Sequence, residues 1–182
     1  MSDLFTAATH DAGGRSKPAW PADSTVTAAF STCGCYRYNL IETWSFDPVV
    51  MWLMMNPSVA GIEHSDPTLI RTGRFSRAWG YGGQLIGNMH AYRATDSKRL
   101  LTVADPIGAE NDEHILRMAR RAAMVVLAYG QPPKPLRPRA QKVITMLRDA
   151  GVRLTYLRLA KDGTPWHPLY LPGDTMPQDY HA

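Results

Sequence analysis

The segment that decides the fold is VVMWLMMNPS, which occupies residues 49–58. Seven consecutive apolar residues stop abruptly at Asn56-Pro57-Ser58, a pattern typical of a buried strand that ends in a turn. Pro57 favours an extended backbone at the preceding residue, so it should hold the Asn56 side chain at the carboxyl end of the strand. The same three residues also suit a simple cap for the next element, because Asn and Ser are common turn residues.

Length and composition predict one globular domain. The chain has 182 residues, of which 45% are hydrophobic and 20% charged. No apolar run approaches the roughly 20 residues that a membrane span needs, and no secretory signal is visible, so we expect a cytoplasmic monomer without membrane contact. Residues 1–22 are small and polar and predict a flexible N-terminal arm, which leaves residues 23–182 as a single α/β domain.

Charge and cysteine content limit the possible partners. A net charge of +4 with a pI near 9.2 permits binding to a nucleic acid without requiring it. Cys33 and Cys35 stand alone, with no second Cys or His pair at zinc spacing, so we expect reduced thiols and no metal site. No cofactor is expected.

The order of the predicted elements indicates a parallel sheet. Strands alternate with helices along the chain, and such an order gives right-handed crossovers with helices on both faces. We therefore predict a three-layer α/β sandwich with a central, mainly parallel four-stranded sheet. Its predicted strands are residues 49–55, 84–89, 124–130 and 152–159, and its predicted helices are residues 67–79, 112–123 and 136–150.

The region before the first parallel strand predicts a hairpin. Residues 35–44 alternate imperfectly between apolar and polar side chains, and Asp47-Pro48 follows as a turn signal. We expect these residues to pair with the strand over residues 49–55 as an N-terminal edge hairpin. Asp66 is the predicted N-cap of the helix that Pro67 begins.

Parallel strands align their carboxyl ends, and ligands bind at that edge in open α/β sheets. Asn56, Asn88, Gly130 and the loop that carries His167 should therefore open on one cleft. An Asn carboxamide can match the mixed donor and acceptor edge of a nucleobase or orient a water, and His167 can donate to charge that develops on a leaving group. A structural role for His167, with its ring bonded to the backbone, is an equal alternative.

Other polar residues near this edge have open roles. Exposed loop charges are usually only solvated, and that reading stays open for all of them. Arg93 and Lys98, on the long connection over residues 90–111, could contact phosphate. A general base could come from His64, His90, Asp66 or Glu110.

These motifs resemble the uracil-DNA glycosylase superfamily over roughly residues 49–171. Met54-Met55-Asn56-Pro57-Ser58 is similar to the Gly-Ile-Asn-Pro-Gly motif of the mismatch-specific branch, and residues 73–76 echo its Asn-Arg-Phe-Trp motif. The strand that ends at Gly130 and the His167-Pro168-Leu169 motif are also similar to those enzymes. The chain further resembles small bacterial proteins of unknown function that share Asn-Pro-Ser and His-Pro-Leu-Tyr.

The resemblance implies a role for each motif. Asn56 would position the attacking water, Asn88 would read the base edge, and His167 would stabilise the departing base. Met55 and Ser58 depart from the small residues that the glycosylases place beside the catalytic Asn. Substrate contacts would come from Pro57, Ser58, Asn88, Tyr92, Tyr129, Gly130, Pro168 and Leu169, with Tyr92 or Tyr129 as the ring that stacks on the base.

The resulting hypothesis is a DNA glycosylase-like protein that hydrolyses the N-glycosidic bond of a damaged or modified base. Its partner would be a nucleic acid, most simply DNA, or a nucleotide. Two alternatives stay open: a nucleic-acid or nucleotide-binding protein without catalysis, and a hydrolase of small nucleotides or nucleosides.

Overall fold

The computed structural model describes residues 18–58 and 62–181, and it confirms the predicted α/β class. Within these residues, three α-helices and seven strands form, joined by short 3-10 turns that include Pro168–Tyr170. The strands are β1 (Thr25–Phe30), β2 (Arg37–Thr43), β3 (Val49–Met54), β4 (Gly83–Asn88), β5 (Val125–Leu127), β6 (Leu154–Tyr156) and β7 (Gln178–Asp179). The helices are α1 (Pro67–Ala78), α2 (Asn111–Arg121) and α3 (Arg137–Asp149).

The strands form one mixed sheet in the order β1-β2-β4-β3-β5-β6-β7. The pairs β4–β3, β3–β5 and β5–β6 are parallel, whereas β1–β2, β2–β4 and β6–β7 are antiparallel. The carboxyl ends of β3 and β4 coincide, because Met54 pairs with Asn88. Asn56, two residues beyond the end of β3, therefore lies at the same edge of the sheet as Asn88, the last residue of β4.

The structure corrects the predicted hairpin. β2 pairs with β1 and with β4, and it does not pair with β3 or lie at the sheet edge. The crossover through α1 returns the chain beside β3, so β4 occupies the position between β3 and β2. Neither β1 nor β7, which form the two edges of the sheet, is predicted from the sequence.

The central strand β3 is buried along its whole length. Met51 and Leu53 pack with residues of α2 and α3, and Val50 and Trp52 pack on the other face with α1. Each such side chain contributes about 1.5–3 kcal/mol through burial. This is why the segment that is apolar throughout becomes the middle of a sheet covered on both faces.

Helix α1 begins where the sequence predicts it. The Leu69 N–H donates to Asp66 Oδ1 at 2.9 Å, which confirms Asp66 as the N-cap, and Pro67 occupies the first turn. This cap fixes the first turn of α1 beside the carboxyl ends of β3 and β4.

The flexible arm predicted over residues 1–22 lies largely outside the described residues, which begin at residue 18. Trp20 Nε1 donates to the Ile62 carbonyl at 2.7 Å, and the Ser65 N–H donates to the Pro18 carbonyl at 2.9 Å. Residues 18–20 therefore lie against the segment that leads into α1. In the described part of the chain, no helix has the length and apolar character needed to cross a membrane.

Candidate functional site

A cavity of about 220 Å³ opens where β3 and β4 end, on the face of the sheet that α1 covers. Its wall includes Arg37, Asn56, Asn88 and His167. The volume is smaller than the roughly 300–1,000 Å³ that is typical for drug-sized ligands. The cavity therefore suits a single ring or a small charged group.

Asn56 presents a hydrogen-bond acceptor to this cavity. Its Nδ2 donates to the Ala94 carbonyl at 2.8 Å and to the Pro57 carbonyl at 3.1 Å. Both amide hydrogens are thus used, while Oδ1 accepts no hydrogen bond from the described residues. Because the two carbonyls fix the orientation of the amide, an open acceptor at this point can hold a water molecule or a donor group of a ligand.

Asn88 presents a donor to the same cavity. The residue is 1% exposed, and its Nδ2 has no hydrogen-bond partner among the described residues. A buried amide without a partner costs about 1–3 kcal/mol, so it marks a place where water or a ligand completes the hydrogen bonding. Asn88 shares its face of β4 with Ile86, which packs against the α1 side of the sheet.

His167 forms another part of the wall. The Leu169 N–H donates to His167 Nδ1 at 3.4 Å, which favours the tautomer with the proton on Nε2. Burial lowers the pKa of His167, and the Asp66 charge opposes that shift. The ring is therefore neutral at pH 7 and offers Nε2–H as a donor.

Arg37 is the functional candidate that the sequence reasoning missed. It begins β2, is 3% exposed, and its Nε has no partner among the described residues. Burial lowers the pKa of Arg37 to about 10, so the guanidinium stays charged at pH 7. Because β2 runs antiparallel to β4, its first residue lies at the edge where β4 ends, and that topology is the signal that could have identified it.

Hydroxyl groups and one carboxylate complete the polar wall. Ser58, Thr68 and Ser97 line the cavity, and Ser58 Oγ is buried without a partner among the described residues. Asp66 lines it as well, with Oδ1 engaged as the cap of α1. Of the loop residues considered as a general base, Asp66 is the one that the structure brings to this cavity.

The structure does not bring the two candidate stacking tyrosines into this cavity. Tyr129 packs in the core between the sheet and α2 and α3, where it lines a separate cavity with Tyr180. Burial raises the pKa of Tyr129. Tyr92 packs edge-on against Tyr36 with ring centroids 5.7 Å apart.

The four remaining predicted substrate contacts, Pro57, Gly130, Pro168 and Leu169, do not line this cavity. Pro57 is buried, and its carbonyl accepts from Asn56 and from the Ala94 N–H. Gly130, at φ +65°, lies so close to His167 that a Cβ there would sit 3.4 Å from the His167 Cβ. Pro168 is buried, and His167 Nδ1 accepts from the Leu169 N–H, so His167 caps the short 3-10 turn that Pro168 begins.

The two predicted phosphate contacts lie outside the cavity wall. Arg93 Nη1 donates to the Gly34 carbonyl at 2.9 Å, and its guanidinium lies over the Phe30 ring. Lys98 is exposed in the 3-10 turn over Ser97–Leu101. Their proposed role with nucleic acid stays a prediction.

The other candidates for a general base lie elsewhere. His90 is 2% exposed. Burial and, to a smaller extent, the positive charge of Arg139 lower its pKa to about 4. His64 and Glu110 are exposed.

Cys33 and Cys35 are exposed free thiols. Within residues 18–58 and 62–181, no group of three His, Cys, Asp or Glu side chains is placed to hold a metal ion.

Comparison with known proteins identifies one family. No curated protein and no solved structure matches the chain. Residues 37–169 match the model of a family described as "Protein of unknown function (DUF1643)". The match begins at Arg37 and ends two residues beyond His167, so it contains every side chain discussed for the cavity wall. Because it covers most of the sequence, the chain belongs to the DUF1643 family.

Proposed function

We propose that the protein hydrolyses the N-glycosidic bond of a damaged or modified base in DNA. The observation that carries the proposal is that one cavity combines an acceptor fixed on Asn56 with a donor fixed on His167. Hydrolysis of a glycosidic bond needs both: an acceptor that orients the attacking water, and a donor for the charge that develops on the leaving base.

Asn56 is suited to the water. Its two amide hydrogens are held by backbone carbonyls, so the side chain cannot flip and Oδ1 stays directed away from them. A water that donates to Oδ1 would keep a lone pair for C1′ of the sugar. Its oxygen bonds to C1′ while the C1′–N bond breaks, and Asp66 is the carboxylate in the cavity that can take the released proton.

His167 is suited to the leaving base. The electrons of the C1′–N bond pass to the base, whose negative charge spreads from the ring nitrogen to its exocyclic carbonyl oxygens. A neutral imidazole can stabilise such an oxyanion by donating a hydrogen bond from Nε2, and it does not need to be protonated to do so. The lowered pKa of His167 keeps the ring in this neutral form at pH 7.

Asn88 is suited to reading the base edge, because its amide offers a donor and an acceptor with few competing partners. The parallel pairing of β4, β3, β5 and β6, with asparagines where β3 and β4 end, supports the resemblance to the uracil-DNA glycosylases. The reaction proposed here uses side chains of this protein and water.

The test is base release from labelled DNA oligonucleotides that carry uracil, deaminated purines, alkylated bases or modified pyrimidines. We expect abasic sites with at least one substrate. Asn56→Ala should lower the rate by about 10²–10³-fold, as for loss of a group that acts on the transition state. His167→Ala should lower it by a similar factor, and His167→Gln, which keeps a donor, by less.

The matched control is His64→Ala, because His64 is exposed and lies outside the cavity wall. It should keep the wild-type rate. Abasic sites that form equally with wild type, Asn56→Ala and His167→Ala would contradict the proposal, since the activity would then arise elsewhere or from a contaminant.

Binding without cleavage is the second candidate. Among the described residues that line the cavity, His167 provides the one aromatic ring, so the wall lacks a second ring to stack on a flipped base. Retained binding of the same oligonucleotides, measured by fluorescence anisotropy without release of any base, would favour this function.

A further inference from the structure

The Arg37 side chain is a buried cation without a counter-ion among the described residues. It is 3% exposed, lines the cavity, and has an Nε that no described residue satisfies. No carboxylate of the described residues lies within ion-pair distance of it. An isolated buried charge is strongly unfavourable unless a partner group or a ligand completes it.

The charged groups around Arg37 do not neutralise it fully, so an anionic ligand can still be attracted to the cavity. Asp66 lines the same cavity and its charge raises the pKa of Arg37, but Asp66 Oδ1 already accepts from the Leu69 N–H. Burial lowers the pKa of Arg37, and the positive charge of Arg93 lowers it further. His167 is neutral at pH 7, as argued from its lowered pKa. Asp66 therefore offsets part of the positive potential without forming a contact pair.

Neutral donors line the cavity together with Arg37. Asn88 Nδ2 and Ser58 Oγ are buried and have no partners among the described residues. Arg37 contributes only donors, since a guanidinium has no acceptor. A guanidinium with amide and hydroxyl donors nearby is a set that matches the oxygens of a carboxylate or a phosphate.

We propose that this cavity binds an oxyanion group of its ligand, with Arg37 as the residue that recognises it. The oxyanion is either the phosphate of a nucleotide or a carboxylate carried by the base. The inference goes beyond the proposed function, because it concerns binding and holds whether or not the glycosidic bond is cleaved.

The experiment compares matched ligand pairs by isothermal titration calorimetry at low ionic strength and pH 7.5. One set pairs each common deoxynucleoside with its 5′-monophosphate. The other pairs uracil with orotate, which is uracil with a carboxylate. Within each pair the base is constant, so the difference in affinity reports the oxyanion alone. Inorganic phosphate serves as the probe without a base.

We expect wild-type protein to bind the anionic member of at least one pair about tenfold or more tightly than the neutral member, which is 1.4 kcal/mol. A preference for the monophosphates, with binding of inorganic phosphate, would assign the oxyanion to a nucleotide. A preference for orotate alone would assign it to the base.

Two variants test the role of Arg37. Arg37→Gln keeps polar character but removes the charge, and it should abolish the preference, whereas Arg37→Lys should keep part of it. Asn88→Asp leaves Arg37 in place and adds a carboxylate to the cavity, so it should abolish the preference as well. Circular dichroism melts identify any variant that fails to fold.

Two results would overturn the proposal. The first is equal affinity for the neutral and anionic members of every pair in the wild type, including no binding of either. The second is an anion preference that persists in folded Arg37→Gln or in folded Asn88→Asp. Loss of base release with the preference intact would count against the glycosylase function only, so the two proposals fail separately.

Discussion

Asn88 and Asn111 lie on opposite sides of the end of β4 and are used in opposite ways. Both are buried, at 1% and 0% exposure. On the α2 side, Asn111 Nδ2 donates to the carbonyls of Asn88 and Met89, each at 3.1 Å. On the α1 side, Asn88 Nδ2 has no partner among the described residues. Asn111 therefore uses its amide donors within the fold, although its Oδ1 is buried without a partner among the described residues, whereas Asn88 leaves its amide donor unsatisfied at the cavity.

Two arginines repeat the contrast. Arg139 of α3 is 6% exposed, donates from Nε to the Met89 carbonyl at 2.8 Å, and forms an ion pair with Asp112. Arg37 is 3% exposed and has no such partners in the part of the chain that the structure describes. Arg139 Nη1 is itself buried without a partner there, so an unsatisfied atom does not separate the two arginines. The difference is that Arg139 has a carboxylate partner, whereas Arg37 lines the cavity with none among the described residues.

The largest effect should be a loss of folding stability at acidic pH, which His90 causes on the α2–α3 side of the sheet. The pKa of His90 is about 4 in the folded protein, against 6.5 for an unperturbed histidine. As pH falls below 6.5, the unfolded chain takes up a proton first, so stability should fall between pH 6.5 and 4 by about 3 kcal/mol. Above pH 7 this contribution is fully present and constant.

The measurement is the free energy of unfolding in urea across that pH range, for wild type and His90→Gln. Carboxylates also titrate there, but they contribute equally to both proteins, so the difference between the two isolates His90. Parallel curves for wild type and variant would show that His90 does not hold its neutral form in the fold.

Asn111→Ala should lower the free energy of unfolding by about 2 kcal/mol at pH 7. The substitution removes the donors to two backbone carbonyls in a region without solvent. Chemical denaturation measures the change. A loss below about 0.5 kcal/mol, which is typical of surface positions, would mean that Asn111 is not a structural group.

Asp66→Ala should cost about 1 kcal/mol, because the variant loses the N-cap of α1. Asp96→Ala is the matched control: Asp96 Oδ1 caps the Lys98 N–H of a short 3-10 turn, so its loss should cost less. Equal costs for the two variants would argue that the cap of α1 contributes nothing specific to the α1 side.

Asn88→Ala should change stability least, by no more than about 0.5 kcal/mol in either direction. Its side-chain Nδ2 has no partner to lose among the residues that the structure describes, and removing an unsatisfied buried amide can even stabilise the fold. Denaturation under the conditions used for Asn111→Ala gives the direct comparison. A cost as large as that of Asn111→Ala would remove the basis for treating Asn88 as a ligand contact.

The convergence of Asn56, Asn88 and His167 was predictable because parallel strands share a carboxyl edge. Arg37 was not, since the pairing of β2 with β4 depends on a crossover that places β4 between β2 and β3, and no local pattern encodes that position. The distance of Tyr129 from the cavity follows from strand alternation: Leu127 and Tyr129 face the α2–α3 core, and Val126 and Ala128 face α1.

The cavity takes its wall from Arg37, from the ends of β3 and β4, and from His167, which lie far apart in the chain. During synthesis on the ribosome, the sheet around β3 can begin to form before residue 167 has left the exit tunnel, but the cavity cannot close. Completion of the cavity is therefore a late event in the maturation of this protein, and a nascent chain that ends before His167 would have most of its core but an open cavity wall.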